Sequence, residues 1–296
     1  MRTRELAIGP VLAGRSVESL LKGELGLSDS LIARLKRRET GIRLNGVRAY
    51  TTARAATGDV LTAEVGDDPV SRAEPMTYPL SIIWEDEDLL ILDKPAGLAV
   101  HASPRCPGEL TLENALAAYL PPEDGAHPVS RLDRGTTGLM TWAKSGYMHE
   151  LLRRQLHTDG FQKEYLALAV GEVPEKAGHI RLAIGFAEGS RYKRAVRADG
   201  QSAHTEFVVL GRSRGCTLLR LIPHTGRSHQ LRLHMAALGY PLAGDWLYGE
   251  ESPAISRPAL HASGLSITHP LTGERLHFEA PLPPDMAALA HAHGFL

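Results

Sequence analysis

Two guanidiniums bracket a lone carboxylate in the stretch Ser130-Arg131-Leu132-Asp133-Arg134-Gly135-Thr136-Thr137-Gly138-Leu139. Opposite charges nearby favour the ionised form of an acid. An aspartate held this way suits work as a nucleophile or base and suits a general acid poorly. A solvated turn with a surface ion pair is the bland reading of Arg-x-Asp-Arg, since such pairs contribute little. What argues against it lies elsewhere in the chain.

Other chemistries find less support. Gly211-Arg212-Ser213-Arg214-Gly215 matches Gly-x-Ser-x-Gly, but a nucleophile elbow needs a helix after the serine. Here the β-rich run Cys216–Ile222 follows, so the match reads as a hairpin tip. Among fourteen histidines there is no His-Glu-x-x-His, and His229 and His234, five apart, point to different helix faces. No metal site is expected. Neither a Walker loop nor Gly-x-Gly-x-x-Gly occurs, so no nucleotide cofactor is expected either. No second acid accompanies Asp133 at a defined spacing, as glycoside hydrolysis would require. One carboxylate without metal or cofactor points to covalent or base chemistry.

The elements around this stretch follow from periodicity and punctuation. Leu80–Trp84 and the apolar Leu89–Leu92 read as strands, and Thr111 caps a helix stopped by Pro121-Pro122. Ser145 caps another helix, with Met148, Leu151 and Leu152 on one side. The alternating run Phe161–Val170 reads as a strand with Lys163, Tyr165 and Ala167 on one face. Arg191–Arg197 is a basic loop before strands Ala203–Leu210 and Cys216–Ile222. A helix carrying Leu231, His234, Met235 and Leu238 ends at Gly239, and Leu260–Thr268 with Arg275–Phe278 forms a terminal hairpin. Strands joined by short turns, with few helices between, predict an α+β fold on a mixed, mainly antiparallel sheet.

The first 66 residues read as a separate module, with 67–79 as linker and 80–296 as the larger domain. Ser16 and Ser28 cap two short helices, the second ending at Gly41, and Asn45-Gly46 marks a hairpin. Arg34, Lys36, Arg37, Arg38, Arg43, Arg48 and Arg54 face a single acid, Glu39, between positions 34 and 54. That local charge stands out in a chain of net charge −1 and offers phosphates a platform. Two cysteines are too few for a disulfide framework, no apolar run is long enough for a membrane span, and the opening residues lack a signal-peptide core. A cytoplasmic monomer is the expectation.

Four stretches in order resemble the pseudouridine synthases of the large-subunit ribosomal type, RNA-uridine isomerases built on an Arg-Leu-Asp motif. They are Asp93-Lys94-Pro95-Ala96-Gly97-Leu98, Arg131-Leu132-Asp133-Arg134-Gly135, Lys163-Glu164-Tyr165-Leu166-Ala167 and Thr225-Gly226-Arg227-Ser228-His229-Gln230-Leu231-Arg232, followed by Gly244-Asp245. Residues 14 to 66 are similar to the S4-type RNA-binding module. Ser130 stands where the family usually has His, and Ser228 replaces a common Thr. The resemblance implies that Asp133 attacks the uridine, or its ribose after base loss, and that Tyr165 stacks on the uracil. It implies that Arg227 pairs with Asp133, that Leu231 walls the pocket, and that Arg131 enters the RNA stack where the base leaves it. Arg134, Lys193 and Arg194 are phosphate candidates, and Arg34, Lys36, Arg37, Arg38 and Arg43 form the RNA-binding platform. Ribosomal RNA is the expected partner, with transfer RNA the alternative. A non-catalytic RNA-binding relic should have lost Asp133, Tyr165 or Arg227, and all three are present.

Overall fold

A computed structural model describes residues 2–66, 73–103, 106–121 and 124–296. Its first part runs β1 (Thr3–Ala7), α1 (Val17–Gly23), α2 (Asp29–Leu35), β2 (Ile42–Leu44), β3 (Val47–Arg48) and β4 (Val60–Glu64). The side chains of Ser16 and Ser28 accept from the backbone N–H of Ser19 and Leu31, capping α1 and α2. Asn45 and Gly46 both take positive φ, as the tight β2–β3 turn demands. A four-stranded sheet in the order β1-β4-β2-β3 packs on the two helices. The sequence reading missed β1, which opens on three consecutive polar residues, Thr3-Arg4-Glu5, and pairs antiparallel with β4.

The second helix ends at Leu35, six residues earlier than its expected stop. Gly41 returns so close to this turn that a Cβ there would lie 2.3 Å from the Leu35 carbonyl oxygen. The chain therefore leaves the helix to make the approach. Lys36, Arg37 and Arg38 consequently sit in turns, and Arg34 alone of the four is helical.

The larger part contains β5 (Ile82–Glu85), β6 (Leu89–Lys94), α3 (Leu112–Tyr119), β7 (His127–Pro128), β8 (Thr137–Ala143), α4 (Gly146–Gln155) and β9 (Phe161–Val170). Then come β10 (Ala177–Ile180), β11 (Ile184–Phe186), β12 (Arg194–Val196), β13 (Thr205–Ser213) and β14 (Cys216–Pro223). The chain finishes with α5 (Gln230–Ala237), β15 (Leu260–Thr268), β16 (Arg275–Glu279) and α6 (Pro284–Ala292). One sheet runs β10-β13-β14-β9-β15-β8-β6-β5, with β16 added to β15 and β7 to β8. Among the described residues its pairings are antiparallel except β15 with β8. The sheet is buried on both faces, which explains the continuous apolar run of β6: Leu90 and Leu92 join one core cluster, Leu89 and Ile91 another. Tyr165, Leu132 and Leu231 belong to the first of these cores.

Two expectations change here. The basic stretch 191–197 is only partly a loop, because Arg194–Val196 pairs with Ile184–Phe186 as a small hairpin. Residues 67–72 of the expected linker lie outside the described residues. Residues 73–79 have no regular structure but dock on α3, where Asn114 Nδ2 donates to the Glu74 carbonyl at 2.8 Å.

His234 and His261 are buried with both ring nitrogens engaged. His234 Nε2 donates to Leu182 O and Nδ1 accepts from Thr205, while His261 Nε2 donates to Ala280 O and Nδ1 accepts from Thr137. Burial lowers both pKa values against the opposing pull of those carbonyls. Between the lowered folded value and the ordinary 6.5, the unfolded chain binds more protons than the fold, so stability rises with pH there. Urea midpoints measured from pH 8 to pH 5 are expected to hold above about 6.5 and fall below it. A flat profile would contradict the neutral assignment.

Candidate active site

A cavity of about 650 Å³ opens on the Tyr165 face of the sheet, within the range of small-molecule pockets. Among the described residues Asp133 is its one lining carboxylate, against four cations: Arg131, Lys163, Arg227 and Arg232. The loop carrying Asp133 is held by its main chain. Lys94, fully buried, donates from Nζ to the carbonyls of Pro95, Leu98 and Arg134 at 2.8, 3.0 and 3.1 Å. Thus the Lys-Pro stretch and the Arg-Leu-Asp stretch are tied directly together. Desolvation pushes the Lys94 pKa down to about 8. From the other side Arg257 Nη1 donates to Gly135 O at 3.1 Å, while a two-bond pair with Asp285 holds the guanidinium. Gly138 then lets β8 pass β15: its φ is +110°, and a Cβ would sit 2.3 Å from the Ala262 carbonyl oxygen.

The cation paired with Asp133 is Arg232. Its Nη1 lies 3.5 Å from Asp133 Oδ2, and its Nε and Nη2 each donate to Asp245 at 2.7 Å. Burial would lower the Arg232 pKa, but the Asp245 bonds and the charges of both aspartates raise it. Arg227, the partner expected from sequence, also lines the cavity, yet its Nε donates to Ser202 O at 3.1 Å. The reason is geometric. Arg227 precedes α5 and lies exposed at the rim, whereas Arg232 is in its first turns and faces inward between the buried Leu231 and Leu233.

Tyr165 is buried from β9 at the cavity wall, and desolvation together with the Asp133 charge pushes its phenol pKa up. The ring is therefore neutral near pH 7. Leu231 and exposed Arg131 also line the cavity, Arg131 without an ion pair among the described residues. The three phosphate candidates lie outside the lining. Arg134 makes a two-bond ion pair with Glu109, Lys193 lies 5.9 Å from the Tyr248 ring, and the Arg194 guanidinium stacks 3.6 Å over Phe186.

Of the N-terminal cations, Lys36 and Arg37 are exposed and free of ion pairs among the described residues. Arg38 and Arg43 instead flank the buried carboxylate of Glu64 at 3.8 and 3.7 Å, and Arg34 reaches Gly66 O.

Sequence reasoning gave no role to Arg232, His229 or Lys163. Arg232 stood in the quoted motif, and the signal was one charge amid the inward residues of an apolar helix. His229 adopts φ +58° at the start of α5, a left-handed conformation unusual outside glycine, and its Nδ1 bonds Tyr248 Oη at 2.8 Å. Lys163 is half-buried with no hydrogen bond or ion pair among the described residues, and desolvation pushes its pKa down to about 8. Its charge therefore opposes folding at pH 7. Lys163→Met is expected to raise stability by about 1–2 kcal/mol in urea unfolding. A loss of stability would show that the ammonium has a partner.

Residues 88–237 match the model of a family described as RNA pseudouridylate synthase. The chain is 36% identical over 272 residues to an RNA pseudouridine synthase of Bacillus subtilis (strain 168), covering 90% of this chain and 95% of that protein. It is 41% identical over 251 residues to ribosomal large subunit pseudouridine synthase D of Nitrosomonas europaea, covering 79% and 70%. Among solved structures, human RNA pseudouridylate synthase domain containing 1 is similar at a TM-score of 0.57 and 27% identity, over 71% of this chain and 86% of that one.

Proposed function

The chain belongs to the RNA pseudouridylate synthase family, and from that membership we propose that Asp133 is the nucleophile with which it isomerises uridine in ribosomal RNA. Conversion of uridine in RNA to pseudouridine exchanges the C1′–N1 bond for C1′–C5. The reaction needs a nucleophile to break the first bond, a closed space for uracil to turn, and removal of the C5 proton. The observation that carries the assignment is Asp133 as the one carboxylate lining the cavity among the described residues, backed by Arg232, with Tyr165 on the adjoining wall.

The residues divide the work by position. Arg232 aims Asp133, and Asp245 fixes Arg232. The neutral Tyr165 ring stacks on uracil, with Leu231 as an apolar wall. As a base toward C5–H, Tyr165 would first have to lose its own proton, so stacking is the role its raised pKa favours. Unpaired Arg131 at the mouth fills the gap the uridine leaves, offsetting an unstacking cost of about a few kcal/mol. Arg227 and Lys163 receive flanking phosphates.

Ribosomal RNA is favoured over transfer RNA by the name of the Nitrosomonas europaea relative. Carbodiimide mapping of pseudouridine on large-subunit ribosomal RNA and bulk transfer RNA, each incubated with the purified protein, tests this. New stops in transfer RNA alone would overturn the substrate assignment.

The N-terminal unit serves as an S4-like platform for the RNA backbone. Lys36→Glu with Arg37→Glu is expected to weaken RNA binding and to reduce the slope of log K against log salt by about 0.7–0.9 per lost phosphate contact. Unchanged affinity and slope would place the platform elsewhere.

A further inference from the structure

Away from the cavity, three histidines distant in sequence meet at the edge of the large sheet. His179 is on edge strand β10, His204 immediately precedes β13, and His224 immediately follows β14. One ring nitrogen from each lies within 4.8 Å of the others. His179 Nδ1 and His204 Nε2 are 3.1 Å apart. Tetrahedral bonds of about 2.0–2.1 Å place two nitrogens about 3.3 Å apart, so this pair already has the required spacing. His179 and His224 are exposed. The His224 ring stacks on that of His204 with centroids 4.3 Å apart, so His224 must turn out of the stack to present its nitrogen to the same ion, and its exposure leaves room for that turn.

The scaffold beneath them is rigid. His224 N donates to His204 O at 3.0 Å, Gln230 Nε2 donates to the same carbonyl at 2.9 Å, and His204 N donates to Thr225 Oγ1 at 2.9 Å. A carboxylate backs the cluster as well: Glu206, opposite His179 in the β10–β13 register, lies 3.0 Å from His224 Nε2. A ligating histidine commonly gives its second nitrogen to such a carboxylate, which fixes its tautomer. Three imidazoles with a carboxylate behind one of them form a donor set for zinc-like ions and a poor one for Mg²⁺ or Ca²⁺, which take oxygen ligands.

We propose that His179, His204 and His224 bind a divalent transition-metal ion of the zinc type, with Glu206 orienting His224 and one coordination position left to water. The site ties edge strand β10 to the 223–230 loop, whose inner side lines the cavity and carries Arg227. None of the three histidines lines the cavity, so the ion braces its wall and takes no part in the reaction.

The test is titration of Zn²⁺ into untagged, chelator-treated full-length protein by calorimetry, with thermal melts alongside. One ion per chain is expected, with Tm rising by about 5 °C or more at a hundredfold excess over Kd. His179→Ala should melt normally without zinc yet bind it at least tenfold more weakly. Glu206→Gln should weaken binding by about tenfold or more, and His277→Ala, at an exposed histidine elsewhere, should bind as the parent does. Absence of saturable binding, or binding untouched by His179→Ala, would overturn the proposal.

Discussion

Asp133→Asn is expected to lower uridine isomerisation by about four orders of magnitude or more while RNA affinity stays within a few-fold of the parent. The amide keeps the shape of the side chain but cannot supply a carboxylate to C1′ or the base. Binding should persist because the cations around the cavity and on the N-terminal unit remain. The Asp133 side chain is partly solvated and its one ion pair among the described residues is with Arg232, so the substitution should leave the fold intact. Tritium release from 5-³H-uridine RNA, read beside a gel-shift isotherm, separates the two effects. Turnover within tenfold of the parent would remove Asp133 from the nucleophile's role.

Arg232→Met carries the second large effect, and it is mainly structural. Asp245 is fully buried and meets Arg232 through two bonds of 2.7 Å; apart from these its carboxylate accepts, among the described residues, only longer backbone N–H bonds from Leu247 and Tyr248. Removing the guanidinium strands that charge, at a cost of about 3–5 kcal/mol. Pairing Arg232→Met with Asp245→Asn should recover much of the stability without recovering activity, because Asp133 still lacks its cation. Arg227→Met, at the exposed rim, should cost less than about 0.5 kcal/mol in stability. Urea unfolding of the four proteins decides the matter; a larger loss at Arg227 than at Arg232 would reverse the assignment of the ion pair.

Local signals in the chain went far. Serine caps placed α1, α2 and α4, a threonine cap placed α3, and Asn-Gly placed the β2–β3 turn, because each of these devices acts within a few residues. The long alternating strand put Tyr165 on the right face. What depended on tertiary approach was harder to read. The early end of α2 follows from the return of Gly41, and the partner of Asp133 follows from which turn of α5 faces the sheet. The three-histidine cluster combines residues 179, 204 and 224, brought together only by the pairing of β10, β13 and β14. The occupation of Arg134 by Glu109, and of Arg38 and Arg43 by Glu64, likewise comes from folding.

The parallel pairing of β15 with β8 has a consequence for the order in which a nascent chain becomes an enzyme. Thr137 meets His261 across 124 residues, Gly135 is held by Arg257 across 122, and Asp133 finds Arg232 across 99. When Asp133 leaves the ribosome, none of these partners has been made. The loop that presents it has only earlier residues to hold it, Lys94 and Gly97 on the Arg134 carbonyl and Glu109 on the Arg134 guanidinium, and no cavity exists. Such distant closures are paid for in folding time. They also mean that a chain stalled anywhere before residue 232 carries its whole basic N-terminal unit while Asp133 still lacks the cation it pairs with.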